Sequence, residues 1–79
     1  MFFVYAIVSL NRNYIYVGMT NDVDRRLSEH NRGYNRTTKP YAPFKLLTVE
    51  SFPSRAEARK REKYLKSGIG KEYLRSLQA

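Results

Sequence analysis

The chain begins with a run of apolar residues that belongs in the middle of a folded domain. Phe2 to Leu10 is rich in β-branched and aromatic side chains and is apolar on both faces of an extended chain. This pattern predicts a buried, central β-strand. Turn residues follow from Asn11 to Asn13, and Tyr14 to Gly18 is then predicted to return as a second strand, which gives a β-hairpin.

The hairpin determines which aromatic side chains share a face of the sheet. If its loop holds an even number of residues, Tyr5 and Tyr16 lie on one face together with Gly18. Because glycine has no side chain, we expect open space beside Tyr16 at this point.

The rest of the chain predicts one more strand and three helices. In order, these are a helix from about Asp22 to Asn31, a strand from Phe44 to Phe52, a helix from Ser54 to Lys66 ended by Gly68 and Gly70, and a short helix from Lys71 to Leu77. The stretch from Arg32 to Pro40 is too polar to be buried. We expect the last helix to pack through Tyr73, Leu74 and Leu77. The order β-β-α-β-α-α predicts an α+β fold, with a three-stranded, mainly antiparallel sheet flanked by helices.

Length and composition exclude several classes of protein. The 79 residues are predicted to form one domain, 1–79, near the lower limit for folding without cross-links. With no cysteine and a single histidine, disulfides, thiolate zinc sites and two-histidine metal cages are excluded. The longest apolar run, Phe2 to Val8, is far shorter than the ~20 residues that span a bilayer. No signal peptide is recognisable, so we expect a cytoplasmic protein without a membrane partner.

The charge of the chain indicates a polyanionic partner. Fifteen Lys and Arg residues stand against seven Asp and Glu residues, which gives a net charge of +8. Such an excess favours nucleic acid through counterion release and electrostatic steering. An anionic membrane surface, or solubility alone, would also account for it.

Two predicted helices carry polar side chains on the faces that should be apolar. Arg26 and His30 share the apolar face of the first helix, and Glu62 shares that of the second. The two stripes are Val23, Arg26, Leu27, His30 and Ala58, Glu62, Leu65. Because a buried charge must be paired or kept wet, this placement indicates a site as well as a core.

Together these residues resemble a known family. Their order is that of the GIY-YIG nuclease domain, which is named for its two tripeptides. The matching residues are Phe3-Val4-Tyr5, Tyr16-Val17-Gly18, Arg26 and Glu62. The likeness extends through the basic second helix, Ala58 to Lys66. It is strongest to the small stand-alone members, which are similar to the catalytic module of the excision-repair incision subunit. Phe3 replaces the first motif's glycine, which we expect to alter packing at the rim of the site without abolishing activity.

The resemblance implies a metal-dependent endonuclease that hydrolyses DNA, in repair or recombination. Glu62 would be the single protein ligand of a hydrated Mg²⁺ (or Mn²⁺), and Arg26 would hold the scissile phosphate. Tyr16 would be the general base, with Tyr5 beside it. A free tyrosine has a pKa of about 10, and Arg26, the metal and the basic surroundings would favour the phenolate. His30 would hydrogen-bond the attacking water or a tyrosine.

DNA is the expected partner, and no small-molecule substrate is expected. The cations predicted to contact its phosphates are Arg25, Arg32, Arg36, Lys39, Arg59, Lys63 and Lys66. No base-reading element is recognisable, so binding is expected to be weak and strongly dependent on salt. In the polar loop, Thr37 or Thr38 resembles a threonine of the family.

Simpler interpretations apply to each of these residues. The tyrosines are ordinary strand aromatics in most hairpins, Arg26 and Glu62 would pair in a structural ion pair, and His30 would be a satisfied core histidine. The basic side chains of the second helix would be a solvated face. For the whole chain, the alternatives to a nuclease are a non-catalytic nucleic-acid-binding module on the same fold and a small protein whose basic face binds an acidic protein.

Overall fold

The computed structural model describes residues 1–78 and confirms the predicted order of elements. The strands are β1 (Phe2–Ser9), β2 (Ile15–Thr20) and β3 (Phe44–Phe52); the helices are α1 (Val23–Asn31), α2 (Arg55–Lys66) and α3 (Gly68–Ser76), with a short 3-10 helix at Lys39–Tyr41. The fold is α+β, as predicted. Ala79, the last residue of the predicted domain, lies outside the described residues.

The sheet has the strand order β2-β1-β3, and both pairs of neighbours are antiparallel. The prediction that the first strand is central is therefore confirmed. Tyr5 lies opposite Gly18, and Ile7 lies opposite Tyr16. Because side chains alternate along a strand, Tyr5, Tyr16 and Gly18 share one face, as the parity argument predicted.

The hairpin strands differ slightly from their predicted bounds. The first ends at Ser9, because Leu10 leaves the ladder and its N–H donates to the carbonyl of Pro43 at 2.9 Å. The second runs from Ile15 to Thr20 rather than from Tyr14 to Gly18, because its pairing with β1 continues as far as Thr20 opposite Phe3.

A separate apolar cluster covers each face of the sheet. On one face Tyr5, Ile7 and Phe44 are buried beneath α1, which packs against β3 and β1. On the other face lie α2 and α3, with α2 across β1 and β2. The buried members of this second cluster are Val4, Ala6, Val17, Ala58, Leu65 and Leu74. Both predicted stripes therefore face the sheet.

The junction of α2 and α3 differs from the prediction. Gly68 and Gly70 do not end a helix but form the first turn of α3. The reason is Ser67, whose hydroxyl accepts a hydrogen bond from the N–H of Gly70 at 3.2 Å and so starts a new helix at once. Of the three residues predicted to pack α3, only Leu74 is buried; Tyr73 and Leu77 are each 40% exposed. None of the helices within residues 1–78 is long and apolar enough to cross a bilayer.

The polar loop also differs from the prediction at one residue. Most of Arg32 to Pro40 is exposed or half-buried, but Thr38 is fully buried. Its burial is tolerated because its hydroxyl oxygen lies 2.8 Å from Nδ1 of the equally buried His30. This contact brings the loop onto the α1 face of the sheet.

The glycines of α3 provide a direct test of this packing. A Cβ at Gly70 would meet the carbonyl oxygen of Tyr64 and lie 2.5 Å from the Cα of Leu65, whereas a Cβ at Gly68 would meet nothing within 4 Å. We expect Gly70→Ala to lower the free energy of unfolding by about 1–3 kcal/mol through overpacking. The matched Gly68→Ala should leave it unchanged or raise it by up to ~1 kcal/mol. Urea denaturation of the two variants would reveal equal effects if this packing is wrong.

Candidate functional site

The centre of the site is the contact between Tyr5 and Gly18. Tyr5 is 1% exposed, and its ring extends across the neighbouring strand above Gly18. A Cβ at Gly18 would lie 2.6 Å from the Tyr5 hydroxyl oxygen and 2.7 Å from Cζ. The space left by Gly18 is therefore occupied by the Tyr5 phenol, and the expectation of open space beside Tyr16 was wrong. Glycine is needed at position 18 because the end of the Tyr5 phenol occupies the space that any larger side chain would fill.

A chain of hydrogen bonds runs from Tyr5 through His30. The Tyr5 hydroxyl lies 2.9 Å from His30 Nε2, and His30 Nδ1 lies 2.8 Å from the Thr38 hydroxyl, which donates to the carbonyl of Asn35 at 3.5 Å. All the protons are accommodated when Nδ1–H donates to Thr38 and Nε2 accepts from Tyr5. Of the two predicted partners of His30, it binds the tyrosine. The buried, satisfied histidine of the simpler interpretation is also what is observed.

Burial determines the protonation states of Tyr5 and His30. It raises the pKa of the Tyr5 hydroxyl, and although the nearby Arg26 guanidinium opposes this effect, burial prevails. Burial and the positive charge of Arg26 together lower the pKa of His30, against a smaller opposing effect of Glu29. Tyr5 and His30 are therefore both neutral near pH 7. Arg26 lowers the pKa of Tyr5, which is the predicted direction, but the effect does not make Tyr5 a phenolate.

Arg26 is held on α1 at the edge of this cluster. Its Nη1 lies 2.6 Å from Glu29 Oε1, and its side chain remains 28% exposed. With Arg25 and Arg55 it lines an opening at the end of β2. Three guanidinium groups at one opening create a place where an anion such as a phosphate is favoured.

Tyr16 is the accessible member of the tyrosine pair. Its ring centroid lies 6.4 Å from that of Tyr5 and 4.9 Å from that of His30. It is half-buried, and its hydroxyl has no hydrogen-bond partner within residues 1–78. It remains partly accessible because α1 packs mainly on β3 and β1.

Glu62 comes from the helix layer on the other face of the sheet. Its Oε1 lies 3.6 Å from Arg59 Nε and its Oε2 lies 3.2 Å from Lys66 Nζ. Its side chain is 14% exposed. The pKa of the Tyr5 hydroxyl is raised mainly by burial, and the negative charge of Glu62 makes the smallest contribution to this shift. The alternative of an ion pair between Arg26 and Glu62 is contradicted, because Arg26 binds Glu29 instead.

The residue before Glu62 fixes the position of α2. Arg61 binds Glu50 of β3 through two hydrogen bonds, from Nε to Oε1 at 2.8 Å and from Nη2 to Oε2 at 3.0 Å. A bidentate pair of this kind defines the orientation of the helix as well as its distance. It therefore sets the direction in which Glu62 leaves α2.

The donor set permits only a weakly held, hydrated metal ion. No group of three or more His, Asp or Glu side chains within residues 1–78 is arranged to hold a metal. Glu62 alone fits an ion such as Mg²⁺, which keeps most of its waters and binds one carboxylate together with a substrate phosphate. Arg59 and Lys66 would have to release the carboxylate for such an ion to bind.

The predicted DNA-contacting cations are all exposed. They are Arg25, Arg32, Arg36, Lys39, Arg59, Lys63 and Lys66. Two cations on α3, Lys71 and Arg75, were not included in the prediction. Lys71 lies near Tyr14 and Tyr16, and Arg75 lies near Tyr14. Their spacing of four residues on one helix was the available signal.

The single histidine makes the protonation of the site measurable. We expect the imidazole of His30 to titrate below pH 6.5 in the folded protein and near 6.5 in the same chain unfolded in urea. Since the unfolded chain then takes up the proton first, stability should fall as the pH drops from about 6.5 towards the folded pKa. NMR of the imidazole C–H signals measures both states. A folded pKa at or above the unfolded value would contradict the buried hydrogen-bond chain.

Comparison with known proteins agrees with the motifs. Residues 1–73 match the family model of the GIY-YIG catalytic domain. A UPF0213 protein from Staphylococcus epidermidis is 35% identical over 77 residues, which are 96% of this chain and 93% of that protein. One from Nitratidesulfovibrio vulgaris is 45% identical over 53 residues, or 66% of this chain, which spans only 48% of that longer protein.

A solved structure is similar as well. The solution NMR structure of a UPF0213 protein from Bacillus halodurans has 37% sequence identity and a TM-score of 0.57, and the match covers 98% of this chain and 85% of that one. The family match and the full-length relatives lead to the same conclusion, which confirms the resemblance seen in the motifs. This chain belongs to the GIY-YIG catalytic-domain family.

Proposed function

We propose that this chain is a metal-dependent endonuclease that hydrolyses phosphodiester bonds in DNA. The family is one of nuclease-type domains, which supports hydrolysis of a nucleic acid. The observation that carries the proposal is the cluster of Tyr5, Tyr16 and Arg26: the Tyr5 phenol lies above Gly18, its ring centroid is 6.4 Å from that of Tyr16, and the Arg26 guanidinium acts on its hydroxyl. These three groups come from three different elements, and a core alone does not require them to meet.

The reaction needs an activated water and compensation for negative charge that grows on the phosphate. Arg26 compensates for this negative charge. Its guanidinium is partly exposed beside Tyr5 and has donors beyond the one bound to Glu29. A scissile phosphate held there would lie beside the tyrosine pair, of which Tyr16 is the accessible member.

Tyr16 is the proposed general base. Of the two tyrosines it alone is accessible, and its hydroxyl is free to accept the proton of a water. Tyr5 does not take this role, because its pKa is raised by burial and its proton is donated to His30. Tyr5 instead holds the site in place, because its hydroxyl is fixed above Gly18 and beside Arg26.

His30 and Thr38 act as positioning residues. Both are fully buried, so neither reaches the substrate. Thr38 fixes the histidine tautomer, the histidine fixes the direction of the Tyr5 hydroxyl, and the hydroxyl fixes the phenol above Gly18. Accurate placement of a reacting phosphate requires side chains that are held rigid by their neighbours, as His30 and Thr38 hold Tyr5.

Glu62 would hold the metal, proposed as Mg²⁺ or Mn²⁺. When bound, such an ion neutralises charge on the phosphate and assists the leaving oxygen. The carboxylate is released for it when substrate phosphates draw Arg59 and Lys66 away, since both are more than half exposed. We therefore propose that metal binds together with DNA rather than before it.

Branched or damaged DNA, of the kind processed in repair or recombination, is the proposed substrate class. The likeness to the excision-repair subunit supports this choice. A cytoplasmic location is part of the proposal and is compatible with the absence of cysteine.

One observation favours a second candidate function, a nucleic-acid-binding module without catalysis. Both oxygens of Glu62 are paired with cations of its own helix. If those pairs persisted with DNA bound, no carboxylate would be free for a metal. The variant below distinguishes the two functions.

We expect Glu62→Gln to reduce Mg²⁺-dependent cleavage by about a hundredfold or more, because metal assistance is worth several kcal/mol. Binding of DNA in EDTA should be kept or strengthened, since a negative charge is removed. Stability should change by less than ~1 kcal/mol, because the two ion pairs that are lost have mostly exposed partners. Cleavage is measured on linear, nicked, flapped and four-way-junction DNA, with Mg²⁺, Mn²⁺ or EDTA.

Glu72→Gln is the matched control for this variant. Glu72 is exposed on α3 and forms no ion pair within residues 1–78, so the substitution changes net charge equally without touching the site. Wild-type cleavage rates in Glu62→Gln would remove Glu62 as the metal ligand. DNA binding without cleavage by the wild-type protein on every substrate would favour the binding module.

A further inference from the structure

Shallow grooves follow the outer edge of β2, the strand that carries Tyr16 and Gly18. Within residues 1–78, β2 pairs with β1 alone, so the N–H and C=O groups of its other edge are unpaired. At the start of the strand, one groove is lined by Tyr14, Ile15, Tyr16, Val17, Lys66 and Lys71. It adjoins a second that shares Tyr14, Ile15 and Lys71 and extends to Asn13 and Arg75.

The grooves have a one-sided charge. Lys66, Lys71 and Arg75 line them, and no Asp or Glu side chain of residues 1–78 does. Lys71 and Arg75 form no ion pair within residues 1–78. By contrast, the depression beside the start of α1 is lined by Asp22 and Asp24 and by no cation. The positive charge along β2 is therefore a local feature and not only a consequence of the net charge of the chain.

Cations also gather at the far end of the same strand. The opening there, beside Met19 and Thr20, is lined by Arg25, Arg26 and Arg55. β2 has six residues, which corresponds to a length of about 20 Å. Its edge is thus bracketed by cations at both ends, with Tyr16 and Gly18 between them.

We propose that one strand of the DNA substrate lies along the outer edge of β2, with Lys71 and Arg75 holding its phosphates on one side of the scissile bond. Lys71 and Arg75 are one helical turn apart, about 6 Å along α3. That distance corresponds to roughly two base-pair steps along the axis of a duplex. The unpaired N–H groups of β2 add donors of the kind that commonly bind phosphate oxygens. This inference rests on the proposed function, which supplies the reacting centre between the two groups of cations.

The test compares two double variants that remove equal charge. Lys71→Gln with Arg75→Gln removes the groove cations; Lys45→Gln with Lys60→Gln removes two exposed cations that line none of these grooves and form no ion pair within residues 1–78. Binding of a fluorescent DNA duplex is measured by anisotropy in EDTA over a range of salt concentrations. Thermal melting checks that every variant is folded.

We expect the groove variant to lower the slope of log affinity against log salt by about 2 relative to wild type, since each lost phosphate contact accounts for ~0.9. Its affinity at low salt should fall about tenfold or more, and the control should stay close to wild type. Lys71→Arg with Arg75→Lys, which keeps both charges, should bind like wild type.

Failure of this inference is distinguishable from failure of the proposed function. Because binding is measured in EDTA, the result does not depend on whether the protein cleaves DNA. Equal affinity and equal salt slope in the groove and control variants would overturn the proposed path. Absence of DNA binding by the wild-type protein would instead overturn the proposed function together with this inference, which rests on it.

Discussion

The hydrogen bond between the Tyr5 hydroxyl and His30 Nε2, made directly above Gly18, is the interaction on which the site depends. It joins the central strand to α1, and His30 then joins α1 to the following loop through Thr38. Because all three side chains are buried, each hydrogen bond is strongly favoured over an unsatisfied group. This series of hydrogen bonds sets the position of α1 on the sheet. The position of Tyr16 and the accessibility of Arg26 both follow from it.

The site belongs to both layers of the domain. α1 lies toward β3 and β1, and α2 lies across β1 and β2, so the two helix layers are offset on opposite faces of the sheet. The offset leaves Tyr16 partly accessible on the outer strand. Arg26 lies on α1 and Glu62 on α2, so these two predicted site residues come from helices on opposite faces of the sheet.

Much of the fold followed from simple periodicity. The continuous apolar run from Phe2 to Leu10 identified the central strand, and hairpin parity placed Tyr5 and Tyr16 on one face. Helical spacing identified the faces of α1 and α2 that pack on the sheet. These predictions succeeded because strand and helix periods are set by the backbone and depend little on distant contacts.

Other features depend on contacts between distant parts of the chain and were missed. Ser67 begins α3 where two glycines indicated a stop, because a single cap outweighed their low helix propensity. Burial of Thr38 follows from a histidine eight residues away. The partner of Arg26, the pairing of Glu62 within its own helix and the placement of Lys71 and Arg75 along β2 likewise require the tertiary structure.

The central claim is that the accessible tyrosine does chemistry while the buried one holds the site. Single-turnover cleavage by Tyr16→Phe, with Tyr5→Phe and the remote Tyr73→Phe beside it, tests it most directly. The account predicts that Tyr16→Phe loses about 10²–10⁴ in rate with stability unchanged, because its hydroxyl has no partner within residues 1–78. Tyr5→Phe should lose less rate but should lose stability, since His30 is left unsatisfied, and Tyr73→Phe should match wild type. Wild-type cleavage by Tyr16→Phe would contradict the account.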